Sequence, residues 1–106
     1  MSEAPETHIR VPRAPNGLQR RGRQLWRDLH TMVEFEPHRM VLVEDACREA
    51  DVIDRLQKSL DKSDLRVKGS NQQQVAAPEL AELRLHRNTL SSLLKALSIP
   101  DFDEDD

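Results

Sequence analysis

The sequence predicts an all-α fold, with a short N-terminal helix and then an antiparallel pair of long helices joined by a loop or small β-hairpin. Three observations predict it. Apolar residues recur at helical spacing in three separate stretches, prolines 37, 78 and 100 punctuate those stretches, and strand-like character is confined to the patch Leu65 to Lys68.

The chain has 106 residues, 37% hydrophobic and 3% aromatic, with one Trp, two Phe and no Tyr. That suits one small domain with a modest core, so further stability has to come from disulfides, a metal or self-association. Cys47 is the single cysteine, which excludes an intramolecular disulfide and a Cys-rich zinc site. Association with further copies of the chain remains. No apolar run approaches the roughly 20 residues that cross a bilayer, and the N-terminus Met-Ser-Glu-Ala-Pro-Glu lacks a basic-then-apolar signal layout. The expectation is a soluble, intracellular protein with no membrane partner.

Residues 1–16 carry Pro5, Pro12 and Pro15 and almost no apolar periodicity, which predicts a flexible arm. Asn16 is a good N-cap, and Leu18, Leu25, Trp26, Leu29 and Met32 follow at helical spacing, predicting a first helix from about Gly17 to Thr31. Gly22 weakens its start by about 1 kcal/mol relative to Ala, which makes its first turns dependent on contact with something else. Pro37 suits the first position of a second helix, Glu36 sits at the positive end of its dipole, and the next proline is 41 residues on. This helix is expected to run to about Asp61, with Val43, Ala46, Cys47, Ala50, Ile53, Leu56 and Leu60 as a narrow stripe, small in the middle. A connector from Asp61 to Ala77 follows, with turn residues Gly69-Ser70-Asn71 and a triple glutamine. Pro78 opens the third helix. Its Leu80, Leu83, Leu90, Leu94 and Leu97 form a heptad seam with Arg87 at the missing position, and Pro100 ends it. The expected divisions are thus an arm at 1–16, a helical body at 17–99 and an acidic tail at 100–106.

Sixteen Lys and Arg against nineteen Asp and Glu give a net charge of −3, but the average conceals a division. From His8 to Arg27 there are six arginines (Arg10, Arg13, Arg20, Arg21, Arg23, Arg27) and no acid, whereas Asp101 to Asp106 hold five acids and no base. Such asymmetry points to two different partners. An Arg-rich face is often only a solvated surface. Against that, the first 57 residues use Arg to the exclusion of Lys, and guanidinium makes planar bidentate contacts with phosphate that ammonium cannot. Six unbalanced arginines could neutralise several DNA phosphates, with affinity that falls steeply in salt. No base-reading set of Asn, Gln and Arg is identifiable, so specificity would come from DNA shape or from many copies binding together.

The seam leucines have two uses: burial against the second helix within one chain, or contact between copies. A two-helix hairpin has only one inside, and Met40, Val41, Leu42, Leu85 and Ala96 add further apolar positions, so the surplus surface is expected to meet other subunits in a symmetric closure. The acidic tail is either a disordered solubilising extension or a peptide for a basic partner surface.

Catalytic chemistry has little support. The four histidines (His8, His30, His38, His86) lie apart, with no i, i+4 metal pair; His30 and His38 across the first turn lack a third ligand. Three glycines and no Gly-rich loop before Lys-Ser or Lys-Thr leave P-loop nucleotide binding without a basis. The expectation is a non-enzyme with no cofactor, no metal and no small-molecule substrate.

Several segments together resemble the small terminase subunits of tailed bacteriophages. They are Gly22-Arg23-Gln24-Leu25-Trp26-Arg27-Asp28-Leu29, then Ala46-Cys47-Arg48-Glu49-Ala50-Asp51 with Asp54-Arg55-Leu56, then Val67-Lys68-Gly69-Ser70, Ala77-Pro78-Glu79-Leu80-Ala81-Glu82-Leu83-Arg84 and Leu97-Ser98-Ile99-Pro100-Asp101. The likeness spans roughly Gly17 to Asp101 and contains no catalytic signature. It implies a non-enzymatic DNA-binding component of a genome-packaging motor in the host bacterial cytoplasm. Such a component forms a ring of copies, engages double-stranded viral DNA and presents it to the large terminase subunit, which carries the ATPase and nuclease. Mapped onto this chain, the resemblance makes Arg13, Arg20, Arg21, Arg23 and Arg27, with Arg10 beside them, the DNA-contact candidates. Oligomerisation falls to Val43, Ala46, Ala50, Ile53, Leu56 and Leu60 of the second helix and Leu80, Leu83, Leu90, Leu94 and Leu97 of the third. Large-subunit binding falls to Asp101, Phe102, Asp103 and Glu104. The chain departs from larger family members in having almost no N-terminal domain ahead of the first helix, so neither a complete helix-turn-helix reader nor strong sequence specificity is expected. Two other classes remain open, a small dimeric DNA-binding regulator or antitoxin and a helical adaptor between proteins.

Overall fold

A computed structural model describes residues 10–67 and 77–99. They form three helices, α1 (Arg20–Met32), α2 (Met40–Val67) and α3 (Pro78–Ala96), with a 3₁₀ turn over Pro37–Arg39 leading into α2. No strand occurs among the described residues, and the class is all-α.

Each helix boundary has a local cause. Asn16 does not cap α1; it makes a turn with Gly17, whose φ of +94° is open to glycine, and the helix starts three residues later than expected, at Arg20. Pro37 opens one tight 3₁₀ turn before the α geometry takes over at Met40. At its far end α2 overruns the expected stop at Asp61 by six residues, so Leu65 to Val67 belong to a helix and not to a β-like patch. The physical reason is that Asp61-Lys62-Ser63-Asp64 is polar without being helix-breaking. It lacks Gly and Pro, and Gln57 donates an i, i+4 side-chain hydrogen bond to Asp61 (3.0 Å) at the expected stop. Whether the connector is a hairpin or a loop lies outside the described residues, as do residues 68–76 in general.

α3 ends in a Schellman motif. Ile99 N–H donates to the Leu94 carbonyl (3.3 Å) and Ser98 N–H to the Lys95 carbonyl (2.9 Å), with Ser98 at a left-handed φ of +58°. The reversal turns Ile99 back into the core, where it is 4% exposed.

The core gathers Leu18, Trp26 and Leu29 from α1 and its entry, Val43 and Cys47 from α2, and Leu97 and Ile99 beyond α3. Each such side chain stabilises the fold by about 1.5–3 kcal/mol on burial. α3 packs against α2. Arg39 donates to the Ala96 carbonyl (2.7 Å), His86 meets Glu49 (2.6 Å), Arg87 donates to Gln57 (3.0 Å) and Ser59 donates to Glu79 (2.7 Å). Residues 10–16 depart from the expected free arm. Val11 and Ala14 pack on the core, and the Trp26 indole N–H donates to the Pro12 carbonyl at 2.8 Å. A buried indole N–H needs an acceptor, and this one ties the extended segment down.

Candidate nucleic-acid interface

The surface with the most unbalanced charge is built on α1, and α1 is held by a carboxylate from α2. Helix N-termini leave backbone N–H groups without intrahelical partners. Here Asp51, 7% exposed, accepts from Gln19 N–H (2.6 Å) and from Gly22 N–H (2.7 Å). An anion at that end also complements the helix dipole. Such an approach requires glycine at 22. A Cβ there would overlap the Asp51 carboxylate and lie 2.7 Å from the Cys47 carbonyl. The contact that orders the first turns of α1 is therefore supplied within the chain. Arg48 completes the junction, paired to Glu44 and reaching the Asn16 carbonyl at 3.4 Å.

With Gly22, Trp26, Leu29 and His30 buried, the opposite side of α1 faces solvent. Arg20, Arg23 and Arg27 stand at i, i+3 and i+7 along one exposed flank of α1, while Arg21 is exposed on the other flank beside Asp28. Arg10 and Arg13 are exposed on the segment that Trp26 anchors. Among the described residues none of the six guanidinium groups pairs with a carboxylate. Arg23 donates to the Leu18 carbonyl and Arg27 to the Gln24 side chain (3.0 Å), contacts that aim the groups and leave their charge uncompensated. On α2 the pattern differs, since Arg48 holds Glu44 and Lys58 holds Asp54 (3.1 Å).

Comparison with known proteins brings no relative to this surface. No family model matches the chain, and neither a curated protein nor a solved structure does.

The residues expected to join copies divide three ways. Val43, Ala46, Leu83 and Leu97 are buried inside the single chain. Ala50, Ile53, Leu56, Leu60, Leu90 and Leu94 are half-buried. Leu80 is 45% exposed, and Val41 (63%) and Leu85 (61%) exceed it. Asp101, Phe102, Asp103 and Glu104 lie outside the described residues.

Several telling residues carried little signal in the sequence. Asp51 reads there as one acid in an alternating series. Arg39 spends its charge on the C-terminal carbonyl end of α3, a favourable place for a cation. His30 is 4% exposed, tilted against Trp26 (ring centroids 4.4 Å apart) and edge-on to Phe35 (5.4 Å), with Nε2 unpartnered. Burial lowers its pKa, and His38, exposed beside Glu36, does not share its site. The buried Cys47 thiol is pushed up to about 12, chiefly by burial and then by the Asp51 charge, so it is no thiolate at neutral pH.

Proposed function

We propose that the chain is a small-terminase-like DNA-binding subunit. The arginine face of α1, continued by Arg10 and Arg13, grips the phosphates of double-stranded DNA, and self-association into a ring multiplies the contact. The observation that carries this is the uncompensated row Arg20, Arg23 and Arg27 on a helix whose other side is locked to the core by Trp26 and by Asp51. A rigid mount presents the guanidinium groups without an ordering cost at binding. Nothing in the row reads base edges, so affinity is electrostatic and one copy binds weakly. Copies joined in a ring gain by avidity, which can exceed single-site affinity by about 10² to 10⁴. The α2–α3 hairpin forms the body of that ring, with Leu80, Val41 and Leu85 as its exposed apolar contacts. No catalytic step belongs to this chain in the reading; ATP hydrolysis and DNA cleavage fall to a large subunit.

The test is a salt titration of DNA binding by the full chain and by an Arg20→Glu/Arg27→Glu variant. Each lost phosphate contact should lower the log–log salt slope by about 1, so the variant should show a slope about 2 smaller for each copy engaged and weakened binding to every duplex sequence alike. Native mass spectrometry on the same samples should give a closed multimer with the same number of copies. An unaltered slope would remove α1 from the interface. A stable dimer that selects one palindromic sequence would favour the regulator class instead.

A further inference from the structure

Between α2 and α3, away from the arginine face, lies an open groove of about 370 Å³. Leu60, Leu80 and Leu83 supply its apolar lining and Arg84 and Arg87 its basic one. Leu83 is buried, Leu60 half-buried, and Leu80 45% exposed. Both guanidinium groups are exposed and, among the described residues, neither meets a carboxylate; Arg87 is steadied by Gln57 at 3.0 Å. Unpaired cations beside exposed leucine suit a ligand with an apolar anchor flanked by acids, because charge-assisted bonds then form where the apolar side chain excludes water. A bare phosphate polymer has no use for the leucines.

Glu34-Phe35-Glu36 has that pattern, but Phe35 packs on the core, which leaves the C-terminal segment. Asp101-Phe102-Asp103-Glu104-Asp105-Asp106 sets an aromatic side chain among five acids. Its starting point keeps Phe102 away from Leu80 and Leu83 in the groove of its own chain. Ile99 is fixed in the core at the opposite end of α3, and Leu97 is fourteen residues from Leu83, about 21 Å at helical rise. Phe102 lies three residues past Ile99, a reach of about 10 Å fully extended. A second copy has no such limit. We propose that the acidic tail of one copy docks in the α2–α3 groove of a neighbouring copy, with Phe102 against Leu60, Leu80 and Leu83 and the flanking carboxylates on Arg84 and Arg87. The inference does not rest on DNA binding, and it places the tail in competition between a neighbouring copy and any other basic partner.

The test uses a fluorescein-labelled peptide of residues 98–106, titrated onto the full chain carrying Phe102→Ala, whose own tail then competes poorly. Saturable binding should appear and weaken in moderate salt. It should fall by about tenfold or more with Arg84→Glu/Arg87→Glu, and similarly when the peptide itself carries Phe102→Ala. Should the charge reversal lose helicity by circular dichroism, Arg84→Gln/Arg87→Gln takes its place. In a second arm, full chains carrying Arg84→Lys are mixed in heavy and light isotopic forms and treated with a zero-length carbodiimide. Cross-links from residue 84 to the tail should join heavy to light. Absence of saturable peptide binding, indifference to the Arg84 and Arg87 changes, displacement of the peptide by duplex DNA, or cross-links confined to one isotopic form would each overturn the proposal.

Discussion

Replacing Gly22 by alanine sets a small gain in helix propensity against a larger loss of packing and hydrogen bonding. Helix propensity favours alanine by about 1 kcal/mol. Opposing it, the added methyl would overlap the Asp51 carboxylate and sit 2.7 Å from the Cys47 carbonyl and 2.9 Å from Asp51 Cγ. Overpacking of this kind costs about 1–3 kcal/mol, and driving the carboxylate off the Gln19 and Gly22 N–H groups forfeits hydrogen bonds to a charged group worth about 1.5–3 kcal/mol each. With one of the two hydrogen bonds lost alongside the overpacking, and the propensity gain subtracted, the net expectation is a loss of about 1.5–5 kcal/mol. Asp51→Ala should cost about 3 kcal/mol by stranding the same N–H groups and removing the anion from the helix end. Because the two residues touch, the changes should not add. In the Asp51→Ala background only the Cys47 carbonyl remains to be met, so Gly22→Ala should cost about 1–2 kcal/mol less there. Urea unfolding of the four proteins, followed by far-ultraviolet circular dichroism and by Trp26 fluorescence, measures the cycle with the m-value as a check on compactness. If Gly22→Ala raised stability by its propensity alone, or Asp51→Ala cost less than about 0.5 kcal/mol, the account of α1 as a helix capped from α2 would be refuted.

Two further predictions concern Ser98 and His30. Ser98→Gly should stabilise the chain by about 0.5–1 kcal/mol. It relieves a left-handed residue at the α3 cap, a cost of about 1–2 kcal/mol offset in part by the greater freedom of unfolded glycine, and the thermal midpoint reports it. Burial puts the folded pKa of His30 below its unfolded one. Below the unfolded value the unfolded state binds more protons, so stability is full above about pH 6.5 and falls as pH drops through that value toward the folded pKa. His30→Gln should flatten the urea midpoint between pH 7 and pH 5.5, and an unchanged slope in the variant would assign that acid sensitivity to other groups.

Local patterns carried the helices well. Trp26 and Leu29 were legible as the packing face of α1 because a narrow apolar stripe among arginines has only one way to turn, and Pro78 announced α3 because proline fits a first helical turn. The boundaries were less legible where the decision is made at a distance. Asn16 has the chemistry of a cap, but the junction follows Asp51, 35 residues later, and the order of acids along α2 gives no hint of which one will meet α1. Polar residues after Asp61 lower the apolar signal without costing much helix stability, so composition alone suggested an early stop. The candidate interface was legible in its charge and obscure in its mount, since Trp26 holding Pro12 is a contact between segments 14 residues apart.

The chain's residues, taken in order, determined its class, its helix-forming stretches and the cationic character of its N-terminal third, because propensity, apolar period and net charge are properties of near neighbours. Tertiary structure alone decided which acid caps α1, that His30 is buried between two aromatic rings, that Val43 and Ala46 are consumed inside one chain, and that Arg84 and Arg87 flank a leucine groove. These depend on which surfaces meet across tens of residues, and burial and charge pairing come into being only when they do.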